Sequence, residues 1–262
     1  MRSGYSAAGR SPDWKGSAMT GATGVPAPNR SVDLPQDRSP VSKGYRGMAM
    51  EGSVARWHAR TRNSEPQIAL WRNQALERTK GLPDHADILE VAPGPGYFAI
   101  ELAKLGHFSV TGLDISHTFI EIASESARRA GVNLTLRQGD ASRMPFPNES
   151  FDLVVCQAAF KNFSRPKAAV NEMHRVLRTP GVAWIEDMRH DASDAAIKSE
   201  VAAMRLTSFR ASMTSRALKS LRRRAYTAEQ FEQFARASPF RDGEIQVSGI
   251  GLEVLMTKQG RS

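Results

Sequence analysis

The stretch that decides the fold is Leu89-Glu90-Val91-Ala92-Pro93-Gly94-Pro95-Gly96-Tyr97. Residues 88–92 read as a short apolar strand and 97–105 as a helix, so two glycines lie between a strand end and a helix start. Glycines in that place let backbone N–H groups approach a ligand closely. Asp114 comes 20 residues after Gly94, at the end of a second apolar strand over 108–113. A carboxylate there is placed to accept from both hydroxyls of a ribose. Gly139-Asp140 recurs at the end of a third strand, 134–138, where Asp140 is suited to accept from an adenine amino group. Gly94, Gly96 and Ala99 also satisfy G-x-G-x-x-A, a pattern that alone leaves a plain tight turn or a nicotinamide site open.

On either side of this loop the chain alternates. Helices are expected over 52–62 and from a Ser64/Gln67 capping-box spacing to about Lys80, where Gly81, Pro83 and Asp84 stop the second. Ser116 should cap a helix to about Ala130, ended by Gly131. Residues 151–157 form a nearly all-apolar strand, as expected when both faces are buried. A helix over 166–177, halted by Pro180-Gly181, leads to a strand over 182–188. Strands alternating with helices imply right-handed crossovers and a parallel sheet covered on both faces. Residues 194–223 read as one or two helices, and Thr227/Gln230 as a second capping box for a helix to about Ala237. The last segments, 244–248 and 252–257, are spaced for an antiparallel hairpin. The fold class expected is α/β: a doubly wound, Rossmann-like, mostly parallel seven-stranded sheet with a C-terminal antiparallel hairpin.

Residues 1–50 differ in composition, with seven Gly, five Pro, seven Ser and no apolar periodicity. Such a segment cannot offset its ordering entropy, so a disordered basic tail is expected there. The abrupt change also suggests Met48 or Met50 as a natural start. The tail holds seven Lys/Arg against three Asp/Glu, nearly half of the net charge of +9. The rest of the excess lies in Arg205, Arg210, Arg216, Lys219, Arg222, Arg223 and Arg224, a stretch without an acidic residue. No aromatic platform is interleaved with these charges, which argues against single-stranded nucleic acid. One cysteine, Cys156, excludes an internal disulfide and a multi-cysteine metal site; a buried, inert thiol is expected, and no metal. No apolar run is long enough to span a membrane, and no secretory signal is present, so a cytoplasmic location is expected.

With these residues in place, the chain resembles the class I S-adenosylmethionine-dependent methyltransferases. Glu90 to Gly96 is similar to their first motif, acid-x-Gly-x-Gly-x-Gly, with Ala92 in place of the first glycine. Asp114 matches the ribose-binding acid, Asp140-Ala141 the adenine-contacting site, and Phe151-Asp152-Leu153-Val154-Val155 the fourth strand. The resemblance covers about 85–190. Phe160-Lys161-Asn162-Phe163 and Glu172-Met173-His174-Arg175-Val176-Leu177 are similar to the quinone-biosynthesis and related small-molecule methyltransferases. Those enzymes commonly carry Arg-Asn or His-His where this chain has Lys161-Asn162.

The resemblance implies S-adenosylmethionine as cofactor, held by Glu90, Ala92, Gly94, Gly96, Asp114, Ile115, Asp140, Ala141 and Gln157. It implies methyl transfer to a small-molecule acceptor by in-line displacement, in which the protein aligns the reactants and excludes water. His190, after the fifth strand, and His58, in the N-terminal helix, are the candidate general bases. Trp57, Phe160, Asn162 and Asp187 are the candidate substrate contacts, for an anionic or aromatic acceptor. Residues 51–80 are expected to be lid helices, 85–190 the cofactor-binding core, 192–225 a helical substrate-lid insertion, and 226–262 the last helix and hairpin. The rival readings are an RNA methyltransferase using the 205–224 cluster, an NAD(P)-dependent oxidoreductase, and a non-catalytic cofactor-binding protein.

Overall fold

The computed structural model describes residues 44–46 and 49–260. The disordered-tail reading of 1–50 therefore lies outside the described residues for all but Gly44–Arg46, Ala49 and Met50, and the proposed start at Met48 lies outside them as well. Helices α1 (Gly52–Arg62) and α2 (Glu65–Arg78) precede the alternating region. Then come β1 (Asp87–Val91), α3 (Tyr97–Ala103), β2 (Ser109–Asp114), α4 (His117–Ala130), β3 (Thr135–Gln138), β4 (Phe151–Gln157), α5 (Pro166–Val176) and β5 (Leu177–Met188). The C-terminal part holds α6 (Asp194–Ala203), α7 (Ser208–Arg222), α8 (Ala228–Arg236), β6 (Glu244–Ser248) and β7 (Gly251–Lys258).

The seven strands form one sheet in the order β3-β2-β1-β4-β5-β7-β6. β1 to β5 run parallel; β7 lies antiparallel between β5 and β6. This is the seven-stranded sheet with a terminal hairpin that the alternation of elements predicts. Alternate strand residues divide between the two faces, as a period of two requires. Leu89, Val154, Cys156 and Ile185 pack with Met173 of α5 and Phe231 of α8. Ile88, Leu153, Val155 and Trp184 pack with Trp71 of α2 and Phe98 of α3. Both faces are thus covered, which explains the nearly all-apolar sequence of β4.

Several boundaries differ from expectation. Ser64 makes no side-chain cap; it is exposed, as are Glu65 and Pro66 beside it. The Ser116 cap and the Thr227/Gln230 capping box are both formed. α5 ends at Val176, and the chain enters β5 at once, because Leu177 already pairs with Phe151. Pro180-Gly181 therefore lies inside β5 rather than ending the helix. Two helices fill 194–223, divided at Arg205, whose φ is +48°. A domain boundary at residue 50 also cuts through packed structure. Tyr45 bridges Phe163, and the Arg46 amide donates to the Asn162 carbonyl across 2.6 Å. Among the described residues no helix is long and apolar enough to cross a membrane.

Candidate active site

A cavity of about 240 Å³ opens at the carboxyl ends of β1, β2, β3 and β4. The strand order reverses between β1 and β4, and in open α/β sheets ligands bind beside that reversal. The loop after β1 forms its floor. The Ala92 amide donates to the Leu113 carbonyl across 2.7 Å, and the Gly94 amide to Oδ2 of Asp114 across 3.0 Å. Ala92, Gly94 and Gly96 all have positive φ, at +59°, +56° and +79°. The left-handed conformation of Ala92 explains why the related motif prefers glycine there; small size alone is not the requirement. Gly96 has a second constraint, since an added Cβ would lie 2.9 Å from that of Ala123.

The buried carboxylates lie along this floor. Oε2 of Glu90 is buried and has no hydrogen-bond partner. Burial pushes the Glu90 carboxyl up to about 8; a hydrogen bond from the Ala99 amide works against the shift and the charge of Asp114 adds to it. Asp114 is pushed up to about 6, again by burial first, although the Ser116 and Gly94 amides pull it back. Asp140 shows the reverse balance. Burial raises it, but hydrogen bonds from Ser142 and the Arg165 guanidinium outweigh that and hold it below the usual range. Oδ1 of Asp140 accepts from Ser142, and Oδ2 lies 2.6 Å from Arg165. Ile115, Ala141 and Gln157 also line the cavity.

The segment before α1 closes one end. A Cβ on Gly44 would lie 2.4 Å from Cδ1 of Ile115 and 2.9 Å from Oδ2 of Asp140, so only glycine passes there as the side chains stand. The Glu51 carboxylate accepts from the His117 and Thr118 amides at the start of α4. The segment is thus pinned at both ends, by Tyr45–Phe163 and by Glu51–α4.

The candidate catalytic and substrate residues are not gathered as the sequence suggests. His58 does line the cavity. Its pKa is lowered to about 4, by burial first and then by the charges of Arg62 and Lys161, so the ring is neutral near pH 7. His190 lies outside the cavity lining; it is exposed, with Nδ1 3.0 Å from the Arg222 carbonyl. Trp57 is 65% exposed. α1 buries Ala55 and Ala59 and brings His58 and Arg62, four residues apart, to the cavity, which leaves Trp57 on the outer side. Phe160 is fully buried behind the site, in tilted and edge-on contact with the rings of Phe163, Tyr226, Phe231 and Phe234. Asp187 is buried too, and accepts from the Lys161 ammonium at 2.7 Å and the Lys161 amide at 2.8 Å. Of the four, only Asn162 lines the cavity.

Three charged lining residues were given no place in the site by the sequence reading: Arg62, Lys161 and Arg224. Arg62 was legible in part, being one helical turn from His58. Arg224 stood out only as one charge in a run. Cys156 is free and fully buried, its thiol pushed up by burial. Among the described residues no group of three or more His, Cys, Asp or Glu is placed to hold a metal ion.

The comparisons with known proteins fit this geometry. Residues 89–185 match the family model described as a methyltransferase domain. Over that stretch the chain is similar to S-adenosylmethionine-dependent methyltransferases, those of quinone biosynthesis among them. A demethylmenaquinone methyltransferase of Deinococcus radiodurans is 38% identical over 95 residues, which cover 36% of this chain and 39% of that one. The chain spans from about two fifths to about half of the length of the curated relatives it matches. A putative S-adenosyl-L-methionine-dependent methyltransferase from Methanococcus maripaludis shares the fold, with a TM-score of 0.64, 20% identity, and coverage of 82% of this chain and 97% of that one. A SAM-dependent methyltransferase from Aquifex aeolicus superposes with a TM-score of 0.58 at 14% identity, covering 77% of this chain and 97% of that one.

Proposed function

We propose that the protein transfers a methyl group from S-adenosylmethionine to a small-molecule acceptor by in-line displacement. The observation that carries this reading is the unpartnered Oε2 of Glu90, buried at the end of β1 beside the glycine loop. A buried acceptor without a partner is costly unless a ligand donates to it. An ammonium group does so, and draws the carboxyl into its charged form. The donor set therefore fits the amino acid end of the cofactor, and the rest of the cavity fits its nucleoside end. Asp114 is placed for the ribose hydroxyls, with Ile115 and Ala141 beside the base. Asp140 is ion-paired with Arg165, so its part is to shape the pocket and hold the Arg165 side.

Bound there, S-adenosylmethionine supplies an electrophilic methyl on a sulfonium, which is a good leaving group. The chain's own work is alignment and the exclusion of water. Gln157, at the end of β4, is positioned by a hydrogen bond to Gln74 at 3.3 Å. α1 and the 192–225 insertion, through His58, Arg62, Leu221 and Arg224, wall the acceptor side. Neutral His58 can accept a hydrogen bond from an acceptor's OH or NH.

Calorimetric titration of the full chain with S-adenosylhomocysteine and, separately, with NADH tests the reading. Binding of the first and not the second is expected. NADH binding without S-adenosylhomocysteine binding would overturn it. Labelled S-adenosylmethionine with a metabolite extract then identifies the methylated product.

A further inference from the structure

A row of polar side chains crosses the otherwise apolar face of the sheet under α2. Gln157 of β4 is in register with Glu186 of β5, and Glu186 with Glu253 of β7. The three therefore stand side by side on the face that holds Val155, Trp184 and Leu255. α2 lies over them and supplies Gln74 and, one turn on, Arg78. Arg78 pairs with Glu253 and packs over the Trp184 ring. Gln74 joins the other two. Its Nε2 donates to Oε2 of Glu186 across 2.9 Å, and its Oε1 accepts from Nε2 of Gln157 across 3.3 Å. Of this row only Gln157 lines the cavity. Polar groups on a packed face cost stability unless they serve one another, and methyl transfer itself gives Glu186 no part.

The row has a direction. An ionised carboxylate only accepts, so Gln74 turns its NH2 to Glu186 and its oxygen to Gln157, and Gln157 turns its own NH2 to Gln74. The atom left over is Oε1 of Gln157. Among the described residues it has no protein partner, and burial does not seal it off, so it opens on the cavity. We propose that Gln74 and Glu186 are positioning residues that turn the carbonyl oxygen of Gln157 to the cavity, where it receives a positively charged or hydrogen-bond-donating group of the reacting centre. The inference rests on the proposed methyltransferase reading and deepens it.

The strand order supports the placement. Asp114, Glu90 and Gln157 stand at or near the ends of β2, β1 and β4, which are neighbours in that order. Gln157 is therefore on the side of Glu90 away from the ribose acid, so the group it meets is not the ribose. A carbonyl oxygen gains from a sulfonium, an ammonium, an N–H or an O–H, whereas a bare thioether offers it only lone pairs. The charge of Glu186 is what imposes the direction. Burial pushes its carboxyl up to about 7 and the charge of Glu253 adds to that; Arg78 and the Gln74 amide oppose it, and Asp187 adds a little more. Arg62 of α1 also feels this carboxylate. Once protonated, Glu186 donates as well as accepts, so the direction is imposed above pH 7 and relaxed below it.

The test is calorimetry on the full chain with two probes, S-adenosylhomocysteine and sinefungin, which carries a protonated amine where the sulfonium methyl stands. At pH 8 sinefungin should bind about tenfold more tightly, the value of one charge-assisted hydrogen bond. Gln74→Leu frees the Gln157 amide to turn and should cut the preference to about twofold. Glu186→Gln should weaken it and remove its dependence on pH, whereas in the unaltered chain the preference should decline as pH falls through 7. The exchange of the pair, Gln74→Glu with Glu186→Gln, should restore it, because a carboxylate at position 74 again takes only the NH2 of Gln157. A residue that merely packs α2 on the sheet predicts no such return. S-adenosylhomocysteine affinity should hold in every variant, which reports that each has folded. In the 15N spectrum the Gln157 side-chain amide, assigned by its loss in Gln157→Met, should show one NH2 proton protected from water at pH 8 and lose that protection in Gln74→Leu. Equal binding of the two probes, a preference that survives Gln74→Leu, or an unprotected Gln157 amide would overturn the positioning role while the methyltransferase reading stands. Failure of both probes to bind the unaltered chain would overturn that reading too.

Discussion

The amide of Gly94 donates to Oδ2 of Asp114 across 3.0 Å, which ties the loop after β1 to the last residue of β2. The other oxygen, Oδ1, accepts from the Ser116 amide at 2.8 Å. One carboxylate thus holds the glycine loop and the start of α4 together. Asp114→Asn presents an amide NH2 to one of these two donors and loses an acceptor. S-adenosylhomocysteine affinity should fall by about tenfold to a hundredfold, the value of one or two charge-assisted hydrogen bonds. Calorimetry measures it, and a thermal melt confirms that the domain persists. Affinity within twofold of the unaltered chain would remove Asp114 from the site.

Glu90 should set a trade between stability and binding. Its carboxyl titrates near 4.5 in the unfolded chain and is pushed up to about 8 by burial in the folded one. A raised carboxyl contributes stability below the unfolded value, and that contribution is lost as pH rises toward 8. Glu90→Gln removes this loss, so the ligand-free variant should be more stable by on the order of 4 kcal/mol at pH 8 and unchanged at pH 4. The same variant should bind S-adenosylhomocysteine more weakly. In the unaltered chain, binding at pH 7 should release close to one proton, read as a dependence of the calorimetric heat on buffer ionisation enthalpy. No proton release, or a variant less stable at pH 8, would mean that Glu90 is not the buried acid of this site.

Ala92 offers a stabilising change. At φ +59° its Cβ carries the left-handed penalty of roughly 1–2 kcal/mol, whereas glycine adds back unfolded-state entropy worth about 0.4–1 kcal/mol. Ala92→Gly should therefore gain about 0.5 kcal/mol or more. The same change at Ala99, inside α3 with ordinary helical φ, should cost about 1 kcal/mol. Equal effects at the two positions, measured as urea midpoints, would sink this explanation of the motif's glycine.

Why the cofactor end was legible in the sequence, and the acceptor end less so, follows from distance along the chain. Glu90, Gly94, Asp114 and Asp140 each end a strand or begin a turn, so apolar periodicity and glycine position them one by one. The rest of the cavity wall is assembled from α1, the turn after β4 and the segment after α7, whose relative placement no local pattern encodes. His58 was reached because its helix was expected over the site, but the face it shares with Arg62 was not. Phe160 stands between the cavity residues Ala159 and Lys161 but faces the interior, and Asp187, at the end of β5, is turned into a buried pair with Lys161. Gly44 was assigned to a tail on composition, yet its smallness is what lets the chain pass Ile115 and Asp140. A deletion that spares the site has to end before Gly44.

The Lys161–Asp187 pair separates a structural from a substrate role for Asp187. Both side chains are nearly inaccessible to water, and Asp187 accepts from the Lys161 ammonium, the Lys161 amide and the Met188 amide. Removing the carboxylate leaves an ammonium buried beside the cavity with only the Ala158 carbonyl to serve it. Asp187→Ala should therefore cost about 3–5 kcal/mol, as breaking one side of a buried pair does. Replacing both partners, as Lys161→Met with Asp187→Leu, should recover most of that loss, because no charge is then stranded. A residue acting only on substrate predicts otherwise: the single change would leave the urea midpoint where it was, and the double change would restore nothing. The stability of the three chains, taken under one set of conditions, decides between them.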